Sequence, residues 1–243
     1  MRESGALNAG VLIIGSLLWD PHRQAWRDAR LDGDEPESIS APIRYGRRSG
    51  RRRGNTYTMV FSCNAPAGRA RVARYVHPIT SGDDLITEAE LLWEAEELVP
   101  NARRIAKNWG RVALLCNPER KIPKEILEAW AERVKREPEY RAPTQPHGEE
   151  PLVNQGGILR IEWPRLIGNR AAVDLDLLLA TANNPTFTGI PPEYPRVETI
   201  VAAWNYAAPR HAEYFWKNSD HGITTFQDDE IRARLHPRQH GKA

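Results

Sequence analysis

Cysteine is nearly missing from this 243-residue chain: Cys63 and Cys116 are its only two. Two thiols are too few for a disulfide framework or a multi-cysteine metal site. Each closes an apolar run, 56–63 and 112–116, where a small buried hydrophobe is the expected role. Long apolar runs are missing as well. The stretch 11–19 falls short of the ~20 residues that a membrane-spanning helix needs and is closed by Asp20-Pro21, so no membrane partner is expected. The first residues lack the basic region and cleavage pattern of a signal peptide, and the expectation is a cytoplasmic protein with reduced thiols. No repeat of fixed period is present. Net charge is small too: 34 Lys+Arg against 32 Asp+Glu leave +2. That excludes both an acidic disordered tail and a wholly basic nucleic-acid coat protein.

What the chain does have is a core and an uneven distribution of charge. Forty per cent of its residues are apolar and eight are tryptophan, enough to bury a sizeable interior. Arg44, Arg47, Arg48, Arg51, Arg52 and Arg53 form a basic block without an acid among them. Asp83, Asp84, Glu88, Glu90, Glu94, Glu96 and Glu97 form an acidic block without a base.

Hydrophobic periodicity and turn residues divide the chain into short elements. After a loose leader, residues 11–14 predict a buried strand ended by Gly15-Ser16. The polar stretch 20–42 predicts a short helix over 24–30 and a loop carrying Asp32, Asp34 and Glu35. Strands are expected at 57–62 and 71–76, joined through 64–68 by a hairpin or a longer turn. A helix capped by Ser81 or Asp83 is expected to run to about Leu98. A strand over 111–116 follows, then a helix opened by Pro123 and running to about Arg136. Residues 138–151 predict a long exposed loop, 159–163 and 173–179 predict strands, and 196–204 and 209–217 predict helices, before a frayed tail after Leu235. The class is α+β, a mixed curved sheet or small β-barrel flanked by helices. Residues 1–120 are expected to form the core, and 121–243 a helix-rich C-terminal extension packed on it.

Several groups stand out chemically. A turn of Gly15, Ser16 and Leu17 at the end of a buried strand leaves backbone N–H groups without ladder partners, able to cradle a carboxylate or oxyanion; an ordinary strand-ending turn is the alternative. On a helical wheel Leu85, Ile86, Ala89, Leu92 and Trp93 form the apolar face, while Glu90, Glu94 and Glu97 share a separate stripe expected to be solvated. Glu96 falls inside the apolar sector and Glu88 at its edge. A carboxylate on the buried side has the environment of a general acid/base; alternatively the helix ends near Leu98 and Glu96 escapes to solvent. The arginine block suits phosphate or nucleic-acid binding, or a solvated loop, or one arginine turned into a pocket to hold an anion. No metal site is expected: His236 and His240 lie in the tail, and His211 and His221 lack a third ligand. Asp220-His221 reads as a helix end, with a catalytic dyad as the alternative.

Taken together these pieces resemble the γ-glutamylcyclotransferase-like superfamily, over residues 11–116. Its members open with a strand running into Tyr-Gly-Ser-Leu or Tyr-Gly-Ser-Asn, often followed by Met-Trp and Asn-Pro. The matching stretch here is Ile14-Gly15-Ser16-Leu17-Leu18-Trp19-Asp20-Pro21, with isoleucine where the family has tyrosine. Arg44, Ser49 and Arg53-Gly54 answer the family's Arg/Ser segment, and Leu92-Trp-Glu-Ala-Glu96 answers its helix ending in a catalytic glutamate. The resemblance implies cofactor-free cyclisation of a small γ-glutamyl amide to 5-oxoproline. Glu96 would move the proton, with Glu88 as the second carboxylate candidate. Ile14, Gly15, Ser16, Leu17 and Leu18 would form the substrate-binding turn, and Arg48 or Arg53 would attract the anionic remainder. Two other function classes stay open: a ligand- or partner-binding domain with 14–19 as an inert pocket floor, and nucleic-acid binding through 44–53.

Overall fold

The computed structural model describes residues 5–51, 54–141, 152–190, 192–207 and 209–235, apart from the side chains of 209–212. The strands are β1 (Ala9–Ile13), β2 (Glu37–Arg48), β3 (Tyr57–Phe61), β4 (Ala67–Arg74), β5 (Ala106–Lys107), β6 (Gly110–Cys116), β7 (Arg165–Leu166) and β8 (Leu177–Asn183). The helices are α1 (Gln24–Arg30), α2 (Gly82–Glu97), α3 (Lys124–Lys135), α4 (Val197–Tyr206), α5 (Pro209–Asp220) and α6 (Asp228–Arg234). The class is α+β. The strand order is β3-β2-β4-β1-β8-β6-β5, with β7 paired to β2. The β1–β8 pair is parallel, with Leu12 beside Ala180, and the other pairs are antiparallel. β1 is apolar throughout and buried at every position because both its neighbours and both its faces are covered.

The sheet is curved but open, which settles against the barrel: among the described residues no ladder joins β3 to β5. β2 supplies the curvature. Its first half pairs with β4 and its second with β3, and the register slips between Tyr45 and Arg47. β8 then stops at Asn183, two residues before Pro185, which has no N–H to continue a ladder. Side-chain bonds bridge the remaining gap: Asn183 Nδ2 donates to the Met59 carbonyl at 3.0 Å, and the Met59 N–H donates to the Tyr214 hydroxyl at 3.4 Å.

Several expected elements change. Residues 37–48 are a strand rather than loop and basic block, because Ile39, Ala41, Ile43 and Tyr45 alternate inward and are buried. β3 and β4 are not a hairpin; each pairs with a different half of β2. Residues 159–163 make only isolated bridges, and the strand expected over 173–179 instead spans Leu177–Asn183. Cys63 is exposed, its thiol donating to the Arg160 carbonyl at 3.3 Å. Cys116 is partly buried, and burial pushes its thiol up to about 11. The expected loop over 138–151 begins as a short helical turn that buries Tyr140; residues 142–151, and the tail from 236 with both its histidines, lie outside the described residues.

α2 is closed at its start by a reciprocal cap, Ser81 accepting from the Asp84 N–H while Asp84 accepts from that of Ser81, an arrangement worth about 1 kcal/mol. Two of the three acids in the stripe expected to be solvated are paired instead: Glu90 with Arg133 of α3 at 3.1 Å, and Glu97 with Lys107 at 2.8 Å. α3 packs on α2 and brings Arg133 to it, while Lys107 comes from β5. Residues 121–243 supply β8 as well as α3 to α6. From that half Trp204 and Phe215 meet the buried Tyr45 ring of β2 at 4.8 and 6.2 Å between centroids.

Candidate active site

β1 and β8 run parallel, so their carboxyl ends open on the same side of the sheet, where no further strand residues take up the backbone groups. A cavity of about 360 Å³ lies there. After Ile13 the chain turns tightly: the Leu18 N–H donates to the Gly15 carbonyl at 3.1 Å, and that of Asp20 to the Ser16 carbonyl at 2.8 Å. Arg27 fixes the outside of the turn by donating to the carbonyls of Leu17 and Asp20 at 2.8 and 3.0 Å. The turn's carbonyls are therefore engaged, while the N–H groups of Gly15, Ser16 and Leu17 find no acceptor among the described residues. Glycine at 15 lets Tyr214 approach the turn, because a Cβ there would stand 2.6 Å from the Tyr214 hydroxyl and force that side chain to move.

The last turn of α2 faces this loop across the cavity. Glu96 and Glu97 both line it, but they are held differently. Glu97 accepts from Trp109 Nε1 at 3.1 Å as well as from Lys107, and its side chain is 9% exposed. Glu96 is 18% exposed and has one cation nearby, Arg23 Nη2 at 3.5 Å, near the limit of a hydrogen bond. Arg23 is itself wholly buried, its other nitrogen bonded to Asp20 and Nη2 also reaching the Glu96 carbonyl at 3.4 Å. One buried guanidinium thus ties the end of the loop to the end of the helix. Glu97 is committed to structure, and Glu96 is the carboxylate in reach of a ligand.

Among the residues picked out from the sequence, Ile14, Gly15, Ser16, Leu17 and Glu96 are brought together around one cavity. Leu18 is not among its lining; it packs against the core behind the turn. Glu88 is elsewhere, buried at 3% exposure and paired with Arg30 of α1. It fell at the edge of the apolar sector because that face of α2 is covered by α1, which supplies the cation. Arg48 is exposed and off the cavity, its Nε donating to the Asn55 carbonyl at 3.4 Å. Arg53 lies outside the described residues. The arginines that do line the cavity are Arg47 and Arg51. Arg47 lies over Trp109, 5.0 Å from the ring centroid, and Trp109 stacks on Trp93. Arg44 points elsewhere, over Tyr194 at 4.2 Å. Strand geometry has placed Arg44 and Arg47 over separate aromatic faces.

The sequence reading missed the wall contributed by residues far along the chain. Thr181 and Asn183 come from β8, and Tyr214 from α5. Trp19, next to the turn, donates to the Asn218 side chain at 2.8 Å and meets Tyr214 edge-on, so α5 braces the loop from behind. A hydroxyl and an amide inside the run LLLATAN were the visible signal for β8; for Tyr214 there was none, since helical periodicity does not say what a helix will cover. Among the described residues no group of three or more His, Cys, Asp or Glu side chains is arranged to hold a metal ion, and no helix is long and apolar enough to cross a membrane. Comparison with protein-family models, with curated proteins and with solved structures finds no match for this chain.

Proposed function

We propose that the protein cyclises a γ-glutamyl amide, releasing 5-oxoproline and an amine or peptide, in the manner of the γ-glutamylcyclotransferase-like enzymes it resembles. The observation that carries the reading is that Glu96 lines the same cavity as the unpartnered N–H groups of Gly15–Leu17. An acceptor for a proton and donors for a developing oxyanion are the two groups an intramolecular aminolysis needs. Glu96 takes a proton from the substrate α-ammonium, and the freed amine attacks the γ-carbonyl carbon. The new C–N bond closes the five-membered ring while the amide C–N bond breaks. Of the two protons the ammonium loses, one passes through Glu96 to the departing nitrogen. The other leaves to solvent or protonates the released amine, so no water or cofactor is consumed. Holding both reacting groups of one molecule in the cavity supplies the entropic part of the acceleration. Arg47 and Arg51 give that cavity a cationic wall suited to an anionic leaving amine.

The test is 5-oxoproline release from γ-glutamyl dipeptides and glutathione. Glu96→Gln is expected to lower kcat by about 10²-fold or more, as loss of a positioned acid/base does. No product from the wild type, or equal product from Glu96→Gln, removes the assignment.

A further inference from the structure

Thr181 is the one described residue that both lines the cavity and carries a buried side-chain polar atom without a hydrogen-bond partner. The residue is 7% exposed, and its neighbours on β8 from Leu177 to Ala180 are buried and apolar. Valine would fill the same volume in such a strand. A hydroxyl left without a partner costs stability that valine would not, so its place at the cavity calls for a partner that arrives with a ligand. Thr58, the cavity's other threonine, contrasts with it: its hydroxyl donates to the Arg47 carbonyl at 3.4 Å.

The side chains around Thr181 say what that partner is. Asn183 lies two residues on and so on the same face of β8. Its amide NH₂ is committed to the Met59 carbonyl, which leaves its oxygen as an acceptor. α2 packs on β8 and brings Glu96 to the same cavity. A hydroxyl, an amide oxygen and a carboxylate make an acceptor-rich corner, whereas the facing turn offers N–H donors. We propose that the Thr181 hydroxyl accepts a hydrogen bond from the substrate's free α-ammonium group, with Asn183 beside it. The pair then sets which end of an amino-acid-like ligand enters first. This rests on the γ-glutamyl reading of the cavity and adds the residues that orient its substrate.

The experiment compares wild type, Thr181→Val and Thr181→Ser with γ-glutamyl-alanine as substrate, and melts each protein without ligand. Thr181→Val is expected to raise KM by about tenfold, the loss of one hydrogen bond to a charged group, with kcat within about threefold. Its melting temperature should equal or exceed that of the wild type, and Thr181→Ser should restore KM. An unchanged KM in Thr181→Val, or a fall in its melting temperature, overturns the proposal; the second result would make the hydroxyl structural. Should the wild type bind γ-glutamyl-alanine by calorimetry yet release no 5-oxoproline, cyclisation alone fails, and Thr181 is judged on the dissociation constant. Equal constants for wild type and Thr181→Val then overturn the proposal, and absence of binding to the wild type overturns both.

Discussion

Replacing Arg23 by methionine tests how the site is held together. The arginine side chain is wholly buried between two carboxylates, those of Asp20 and Glu96, whose side chains are 20% and 18% exposed. Methionine keeps most of the packing volume and removes the cation, leaving two acids in a poorly solvated place. Breaking a fully buried ion pair costs about 3–5 kcal/mol. Both acids retain some access to water, so the lower end applies, about 3 kcal/mol. The geometry also ranks the two partners. Arg23 is paired directly with Asp20 in a charge-assisted bond, whereas the contact to Glu96 is 3.5 Å and the bond to its carbonyl 3.4 Å. Double-mutant cycles with Asp20→Asn and Glu96→Gln should therefore give about 2 kcal/mol of coupling for Arg23–Asp20 and under about 1 kcal/mol for Arg23–Glu96. Urea unfolding at pH 7 measures all six proteins. Arg23→Met within 1 kcal/mol of wild type, or stronger coupling to Glu96 than to Asp20, would refute the reasoning.

Two further predictions concern carboxylates away from the cavity. Asp228 is buried, and desolvation lifts its carboxyl from 3.8 to about 6 even though the N–H and hydroxyl of Thr225 donate to it. Because the folded value lies above the unfolded one, its contribution is fully present below pH 3.8 and is lost as pH rises through about 6; a shift near two units amounts to at most about 3 kcal/mol. Asp228→Asn keeps both acceptor bonds without the charge, so its stability relative to wild type should rise between pH 4 and pH 7 in thermal melts; a difference flat in pH would falsify the shift. For Glu88→Ala the expected loss is about 2 kcal/mol in urea unfolding, below the usual cost for a buried pair because Arg30 is 24% exposed. Its kcat should not fall as that of Glu96→Gln does, and an equal fall would put Glu88 in the chemistry.

Legibility from the sequence followed the range of the interactions. α2 was readable because its cap and its 3.6-residue periodicity are local. The Gly15 turn was readable because a four-residue apolar run must end where glycine and serine interrupt it. β2 was not, since its alternation is interrupted by Pro42 and Gly46 and masked by arginines whose guanidiniums lie over rings from other segments. Glu97 looked solvated because its partners, Lys107 and Trp109, belong to β5 and the turn after it, which no helical wheel contains.

The sequence alone determined an α+β chain with a Gly-Ser-Leu turn on a buried strand and an acid out of place on an apolar helical face. It did not determine that these two features meet. Tertiary structure decided that, by placing α2 across β6 and β8 so that its last turn looks back at the end of β1. It also chose among like residues: Glu96 over Glu88, because α1 brings Arg30 to one and the cavity opens at the other. Arg47 lines the cavity and Arg48 does not because the bulge in β2 resets which side chains face inward, and Arg51 lines it from the turn beyond the strand. The reason is general. Periodicity fixes the direction of a side chain relative to its own element, while burial, charge pairing and access to a ligand depend on what other elements bring to it.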